Sequence, residues 1–215
     1  MADSKISDLS AGTALAGTEP APFVQGGSTV KITATQIKTF VGTNLRSLWI
    51  PAAGIRPSSS GGCAALALVA TSSNQPDISS LDFDASTAEY AQFWVRMPKN
   101  WDEGTITAQF YWSHASTTTN FGVRWGIQGV AVSDDDTIGV AYGTAQEVTD
   151  TGGTTNDLYV SPATSAITIA GTPAVGDMCA FRVYRDPANA GDTMAIDARL
   201  HGVAIFYSTN TPDET

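Results

Sequence analysis

The sequence has little charge, little cysteine and no long apolar run. Charged residues make up 15% of the 215 positions, whereas roughly 25% is usual in globular proteins. Two cysteines are too few for a disulfide scaffold, and no Cys-x-x-Cys pair or zinc-ligand spacing occurs. No apolar stretch approaches the ~20 residues that a transmembrane helix needs. We therefore expect neither a disulfide-rich miniprotein, nor a bound metal, nor insertion into a membrane.

The charges that are present are mostly negative. Eleven Lys and Arg residues stand against 21 Asp and Glu residues, which gives a formal net charge of -10 and a pI near 4.4. An acidic chain gains nothing from the release of counterions on nucleic acid, and anionic membrane surfaces repel it. The composition thus disfavours nucleic acid and membrane partners.

The two cysteines, Cys63 and Cys179, stand beside small apolar residues. Free cysteine in such surroundings behaves as a small hydrophobic residue. Two buried free thiols are therefore expected, and a disulfide bridge between them is the alternative.

Residues 6–37 combine small apolar residues with many Gly, Ser and Thr. They lack the basic start and the continuous apolar stretch of a signal peptide, and they bury too little surface to fold alone. Residues 25–28 are typical of a turn between extended pieces at 21–24 and 29–33, which predicts a hairpin. Residues 34–41 favour a short helix that Gly42 ends.

This segment resembles the N-terminal segment of tail-fibre and virion-appendage proteins of tailed bacteriophages. The resemblance rests on the stretches I-S-D-L, L-A-G-T-E, V-Q-G-G-S-T-V-K-I-T and Q-I, between Ile6 and Ile37. In that family the segment precedes a larger distal domain and serves attachment or oligomerisation. The resemblance implies that residues 1–47 dock onto a particle or onto sister chains, with the anchors Leu9, Leu15, Phe23, Val24, Val30 and Ile32. The alternative is that they pack on the chain's own domain.

From residue 64 onward, short apolar or alternating stretches are separated by turn signals. Strands are expected at 64–71, 90–97, 105–113, 121–132, 164–170, 179–185 and 199–207, and a short helix at 141–148. This pattern predicts an all-β domain, an antiparallel β-sandwich, and the long connections favour a jelly roll. Residues 48–62 are interpreted as the hinge into this domain, which would span 48–215. The stretches 88–105 and 181–186 also resemble jelly-roll domains of phage virions.

Three aromatic residues, Tyr90, Trp94 and Tyr111, raise the question of a binding surface. Trp94 and Tyr111 have the opposite parity to the other large apolar residues of their strands, which predicts that they face outward. Outward aromatic rings can form a subunit interface, lie under loops as part of a core, or stack on sugar rings. All three interpretations remain open at the level of sequence.

Candidate catalytic and metal-binding groups are few. Asp134, Asp135 and Asp136, with Asp82 and Asp84, could supply oxygen ligands for calcium, but the run is more simply a solvated turn without EF-hand spacing.

His114 and His201 are the only histidines, and both are expected to be surface or edge residues. No G-x-S-x-G motif is present. No spacing selects a glycosidase pair among the carboxylates Asp82, Asp84, Glu89, Asp102 and Glu103. We expect no enzyme activity and no cofactor.

The functional expectation joins these parts. The chain is interpreted as a structural virion protein of a tailed phage, assembled in the bacterial cytoplasm as a tail fibre, head fibre or decoration. It would dock onto other virion proteins through its N-terminal segment and form a symmetric knob, a homotrimer. The alternative is a receptor-binding module that recognises host surface glycan through exposed aromatic residues.

Overall fold

The structure, a computed structural model, describes residues 20–33, 36, 45–116 and 121–209. The chain divides into two compact units, residues 1–43 and 44–215. In the first unit, β1 (Pro20–Gln25) and β2 (Ser28–Thr33) form an antiparallel hairpin. Gly26 and Gly27 turn the chain with φ of 60° and 80°, values that favour glycine. The expected hairpin is present, whereas the helix expected at 34–41 falls outside the described residues apart from Gln36.

The second unit consists of short strands joined by loops, with one 3₁₀ turn at Ala52–Gly54. Its strands are β3 (Leu45–Pro51), β4 (Arg56–Pro57), β5 (Ala67–Val69), β6 (Ile78–Phe83), β7 (Glu89–Arg96), β8 (Thr107–His114), β9 (Phe121–Val132), β10 (Gln146–Gly152), β11 (Tyr159–Val160), β12 (Met178–Arg185) and β13 (Ala198–Ser208). In the described part of the chain, no helix reaches the length and apolarity that crossing a membrane requires.

These strands form two antiparallel sheets. The five-stranded sheet has the order β10-β9-β12-β7-β4, and the six-stranded sheet has the order β11-β8-β13-β6-β5 with β3 also paired to β13. The eight strands from β6 to β13 thus place β6-β13-β8-β11 in one sheet and β7-β12-β9-β10 in the other. This is the jelly-roll order, and the predicted all-β sandwich is confirmed. The strand β13 is central, with β8 on one side and β6 and β3 on the other.

The core lies between the sheets and is dominated by aromatic rings. Trp112 and Trp125 are fully buried, and Phe110 stacks on Trp125 with ring centroids 5.6 Å apart. Phe83 meets Trp125 edge-on at 5.3 Å. Burial of each such side chain stabilises the fold by roughly 1.5–3 kcal/mol, so the alternating inward residues of β6, β8 and β9 account for much of the sandwich's stability.

Several sequence expectations differ from the structure at the weaker strands. The apolar run 64–71 yields only the three-residue edge strand β5, and residues 164–170 contribute only isolated bridges, Ile106 to Ile167 and Val130 to Ala170. The helix expected at 141–148 is wrong, because β10 begins at Gln146. There Val148 packs against the core opposite Trp125, and the β-branched residues that follow favour a strand.

Both cysteines are buried and free, as the sequence predicts. Burial raises the pKa of the Cys63 thiol and of the Cys179 thiol to about 12. Both therefore remain protonated thiols at neutral pH.

Arg185, at the end of β12, is a fully buried cation. Its Nε and Nη2 donate to the two carboxylate oxygens of Asp192, each at 2.8 Å. The remaining donors reach the carbonyl oxygens of Phe83, Ile196 and Met194. A buried charge is tolerated only when it is paired and fully hydrogen-bonded, and this guanidinium satisfies both conditions.

Removing the counter-charge should destabilise the fold strongly. We expect Asp192→Asn to lower the free energy of unfolding by ~3–5 kcal/mol, because Arg185 would remain buried without a charged partner. The control is Arg199→Gln, which breaks a partly exposed contact with Asp82 at 3.8 Å and should cost less than ~1 kcal/mol. Urea unfolding measures both, and equal losses would contradict a special role for Arg185.

Candidate functional site

The structure separates the three aromatic residues that the sequence singled out. Tyr90 and Trp94 project from β7 on the outer side of the five-stranded sheet, and Trp94 is 36% exposed. Tyr111 projects from β8 on the outer side of the six-stranded sheet, and it is half-buried. The parity argument places each ring on an outward face, but the two faces lie on opposite sides of the sandwich.

The outer side of the five-stranded sheet carries a cluster that we name the polar aromatic face: Tyr90, Trp94, Tyr142, Arg182 and Tyr184. The guanidinium carbon of Arg182 lies 4.6 Å from the ring centroid of Tyr90 and 5.1 Å from that of Tyr142. Contacts of this kind between a cation and an aromatic ring are attractive, worth ~0.5–1 kcal/mol at exposed sites. They fix the arginine and both rings in one arrangement.

Two glutamines hold this arrangement from the sides. Gln92 donates from Nε2 to Ser58 Oγ at 2.9 Å and accepts from the Tyr142 hydroxyl at 3.4 Å. In the amide orientation that satisfies both its polar atoms, Gln128 accepts from Arg182 Nε at 2.7 Å and donates to the Gly143 carbonyl at 3.2 Å. The polar groups of the face are thus positioned by one another.

Tyr184 lies across the backbone of β9 because residue 126 is glycine. A Cβ added to Gly126 would come 2.2 Å from Cζ of Tyr184. The Tyr184 hydroxyl donates to Glu147 Oε1 at 2.6 Å, and Glu147 pairs with Arg124 at 3.1 Å. Burial, followed by the contact with Glu147, raises the pKa of Tyr184 above its usual range, so the hydroxyl remains a donor at neutral pH.

The outer side of the six-stranded sheet carries a second cluster, the apolar face: Leu45, Trp49 and Tyr111. Trp49 is 52% exposed and lies over Gly202, where an added Cβ would approach its ring to 2.4 Å. Tyr111 meets Trp49 edge-on with centroids 4.8 Å apart. Sequence reasoning missed Trp49 because residues 48–62 were interpreted as a hinge, whereas Trp49 lies within β3 opposite Ala204.

Neither histidine is a surface residue, so that expectation is wrong. His114 is fully buried among Phe121, Tyr159 and Trp112, and its ring nitrogens have no hydrogen-bond partner among the described residues. It faces the core because β8 alternates and His114 has the same parity as Trp112. His201 is 5% exposed, since it lies on the central strand β13.

His201 forms a hydrogen-bonded pair with Ser113. Its Nδ1 lies 2.9 Å from the carbonyl oxygen of Ser79, and its Nε2 lies 2.7 Å from Ser113 Oγ. A carbonyl only accepts, so Nδ1 carries the proton and Nε2 accepts from the serine hydroxyl. Burial, with a smaller contribution from Arg199, lowers the pKa of His201, while the bond to Ser79 and the charge of Asp82 oppose this shift.

The candidate calcium ligands form local turns instead. Asp134, Asp135 and Asp136 are exposed, and Asp136 accepts from the Ser133 amide at 3.1 Å to close their turn. Asp84 accepts from the amides of Ser86 and Thr87 in another turn. Within the described ranges, no group of three or more His, Cys, Asp or Glu side chains is placed to hold a metal ion.

The remaining glycosidase candidates also have structural partners. Asp102 accepts from the Gly104 amide, Glu103 from the Val175 amide, and Glu89 from the Asp84 amide. These contacts do not assemble the two-carboxylate cleft that glycoside hydrolysis needs.

Comparison with known proteins gives fold neighbours only. No protein-family model matches the sequence, and no curated protein matches it. Similar solved structures include the CBM22-2 xylan-binding domain from Paenibacillus barcinonensis Xyn10C, with 12% identity, a TM-score of 0.42, and coverage of 75% of this chain and 99% of that chain. A family 11 carbohydrate-binding module from Clostridium thermocellum, in complex with a mixed-linked tetrasaccharide, has 11% identity, a TM-score of 0.36, and coverage of 75% and 88%.

A viral protein is also similar. A chain of infectious bursal disease virus, Gx strain, has 10% identity and a TM-score of 0.34, and the match covers 92% of this chain and 39% of that chain. At such identities and TM-scores, the jelly-roll assignment rests on the strand order of the chain itself.

The His201 environment predicts a pH dependence of stability. The native pKa lies below the unfolded value of about 6.5, so the unfolded state binds the proton more readily. The stability that His201 contributes is therefore present above pH ~6.5 and is lost as the pH falls below that value. We expect the difference in unfolding free energy between the wild type and His201→Gln to shrink from pH 8 to pH 5 in urea titrations. A difference that grows at low pH would contradict this assignment.

Proposed function

We propose that this jelly-roll domain binds glycan and that the polar aromatic face is its binding surface. The observation that carries the proposal is the fixed stack of Arg182 between Tyr90 and Tyr142. Tyr184 lies beside it, with its ring centroid 5.6 Å from that of Tyr90. The face thus offers several held rings next to side-chain amides and a hydroxyl.

A saccharide matches this chemistry because each sugar ring has apolar C–H faces and a rim of hydroxyls. Aromatic rings with a polar end can cover the C–H faces and bond to the rim at the same time. A few polar groups placed among aromatic residues are typical of small-molecule sites. The existing contacts among Gln92, Gln128 and Arg182 reduce the entropy that binding would otherwise lose.

The charge of the face suggests an acidic glycan. Arg56 and Arg182 both lie close enough to lower the pKa of Tyr142, although burial has the larger and opposite effect. Glu147, one neighbouring carboxylate, is already paired with Arg124, and a second, Asp186, acts on Tyr184. In a chain with a net charge of -10, this face thus brings Arg56, Arg124 and Arg182 together beside two carboxylates. A sugar carboxylate would find charge-assisted partners there.

A glycan array tests the proposal with neutral and uronic- or sialic-acid glycans. We expect binding to acidic glycans. We also expect Trp94→Ala to lower the affinity about 10-fold or more, since truncating an aromatic residue that becomes buried in a complex typically costs over 1 kcal/mol. Gly126→Ala should also lower the affinity for the glycan, because the added Cβ would displace Tyr184 without removing any aromatic residue.

The matched control is Tyr111→Ala, an aromatic truncation on the opposite sheet, which should leave the affinity unchanged. Binding only to neutral glycans would retain the face and overturn the acidic preference. The absence of any glycan signal, or an equal loss in the Tyr111→Ala variant, would overturn the proposal itself.

We propose a second function, assembly into a phage virion as a trimeric appendage, because two described surfaces favour contact with other chains. The hairpin β1–β2 is a two-stranded sheet with Val24 largely exposed, and Val30 and Ile32 are half-buried. Isolated hairpins are marginal in water. The side chain of Phe23 and the anchors Leu9 and Leu15 fall outside the described residues. The apolar face adds exposed Leu45 and Trp49.

Oligomeric mass by analytical ultracentrifugation tests the assembly function. We expect the full-length chain to be a trimer, and Leu45→Asp to shift it toward monomer, since a buried unpaired charge at an interface costs several kcal/mol. Ile138→Asp, which places the same charge at an exposed loop residue, is the control and should remain trimeric. A monomeric wild-type protein would contradict the proposal that the chain assembles with copies of itself.

A further inference from the structure

We propose that Ser113 and His201 form a nucleophile and general-base pair that hydrolyses short-chain acyl esters bound in the cavity beside β5 and β6. The cavity has a volume of about 640 Å³, and both residues line it. It opens on the outer side of the six-stranded sheet, so this activity is independent of glycan binding at the polar aromatic face.

The pair has the relative geometry that an activated serine requires. The 2.7 Å contact between Ser113 Oγ and His201 Nε2 is within the range for proton transfer. The Ser79 carbonyl, 2.9 Å from Nδ1, fixes the neutral tautomer in which Nε2 is the free base. It thus takes the orienting position that a carboxylate holds in a Ser-His-Asp site.

A β-bulge lies at this pair of residues. The pairing of β13 with β8 shifts register between Leu200 and Gly202, which leaves His201 as the extra residue. Bulges redirect side chains and are over-represented next to active sites. Ser113 pairs with Arg199, and His201 follows two residues later, so alternation from Arg199 directs the His201 side chain to the same face as Ser113.

Asn156 is the residue that we assign as the donor to a developing oxyanion. It lines the same cavity, and its Oδ1 accepts from Arg199 Nη1 at 3.2 Å. This contact assigns the amide orientation and leaves the Nδ2 hydrogens as donors. Preorganised donors of this kind stabilise the charge that forms on the acyl oxygen. The apolar side chains Val69, Ile78 and Leu158 line part of the wall and suit a short acyl chain, and the polar residues Thr71, Ser72 and Gln75 line another part.

The chemistry is balanced with water as the second substrate. Ser113 Oγ forms a bond to the acyl carbon while its proton passes to His201 Nε2. The ester C–O bond then breaks, and the departing alcohol takes that proton. Water attacks the acyl-serine, gives one proton to Nε2, and releases the acid as the bond to Oγ breaks. The proton returns to Ser113, and the net reaction is ester plus water to acid plus alcohol.

The charged groups near the base are Arg199 and Asp82, which act on His201 in opposite directions. Burial has the largest effect and lowers the pKa of His201, so the ring is neutral at pH 7 and is available as a base. Labelling of Ser113 should decrease at low pH as His201 is protonated, with a midpoint below the ordinary histidine value of about 6.5.

The test uses a fluorophosphonate probe on the full-length folded protein, followed by peptide mass mapping. We expect one adduct, on Ser113, that is absent in Ser113→Ala and forms at least about 100-fold more slowly in His201→Gln. Ser161→Ala, which removes a buried hydroxyl bonded to the Phe110 amide, is the matched control and should be labelled at the wild-type rate. The rate of p-nitrophenyl acetate hydrolysis should likewise be unchanged in Ser161→Ala, strongly reduced in His201→Gln and lost in Ser113→Ala.

Three results of the labelling experiment would overturn the proposal, and the first needs only the wild-type protein. If Ser113 carries no adduct while circular dichroism shows a folded protein, the pair is a structural hydrogen bond only. Equal labelling rates in the wild type and a folded His201→Gln variant would likewise remove the histidine as the base. A labelling rate that does not change between pH 8 and pH 5 would also show that His201 is not the base.

Discussion

The pairing of Arg185 with Asp192 ties the connection between β12 and β13 to both sheets. Asp192 also accepts from the backbone amide of Arg124 on β9, while Arg185 reaches the Phe83 carbonyl on β6. Because the guanidinium is fully buried, every arrangement of this end of the sandwich must keep these partners in place. The same strand segment then presents Tyr184 outward, next to Glu147 and Arg124. The polar aromatic face is therefore continuous in sequence with the buried Arg185–Asp192 pair.

The polar aromatic face and the apolar face share one packing arrangement but differ in the side chains that surround it. On each, an aromatic ring lies over a glycine of a neighbouring strand, Tyr184 over Gly126 and Trp49 over Gly202. The first ring is surrounded by arginine, glutamine and glutamate, whereas the second meets Tyr111 and exposed aliphatic groups. Large exposed apolar patches mark contact surfaces, and polar groups among aromatic rings mark ligand sites. The two faces lie on different sheets, so the two proposed functions would not compete for space.

Sequence reasoning predicted the fold where the local pattern is strong. Alternation in residues 90–97, 105–113, 121–132, 179–185 and 199–207 gave β7, β8, β9, β12 and β13, which form the centre of both sheets. It failed at β10, because residues 141–148 contain helix-favouring Ala, Gln and Glu, and pairing with β9 overrides that preference. Edge strands depend on partners distant in sequence and carry weaker patterns.

The sites were less predictable than the fold. Parity identified Trp94 and Tyr111 as outward residues, but it could not assign them to opposite sheets. Ser113 and His201 are 88 positions apart, and the pairing of β8 with β13 brings them together. No local motif signals such a pair. Arg182 and Tyr142 also required the folded structure, because their significance lies in the rings and amides that surround them.

The state of the two cysteines has a practical consequence for experiments on this chain. A thiol reacts with maleimides and disulfides as its thiolate, and burial suppresses that form at both positions. A single cysteine introduced on an exposed loop would therefore be the reactive site in the folded protein. Fluorophores or spin labels could be attached to the native background without first replacing Cys63 or Cys179.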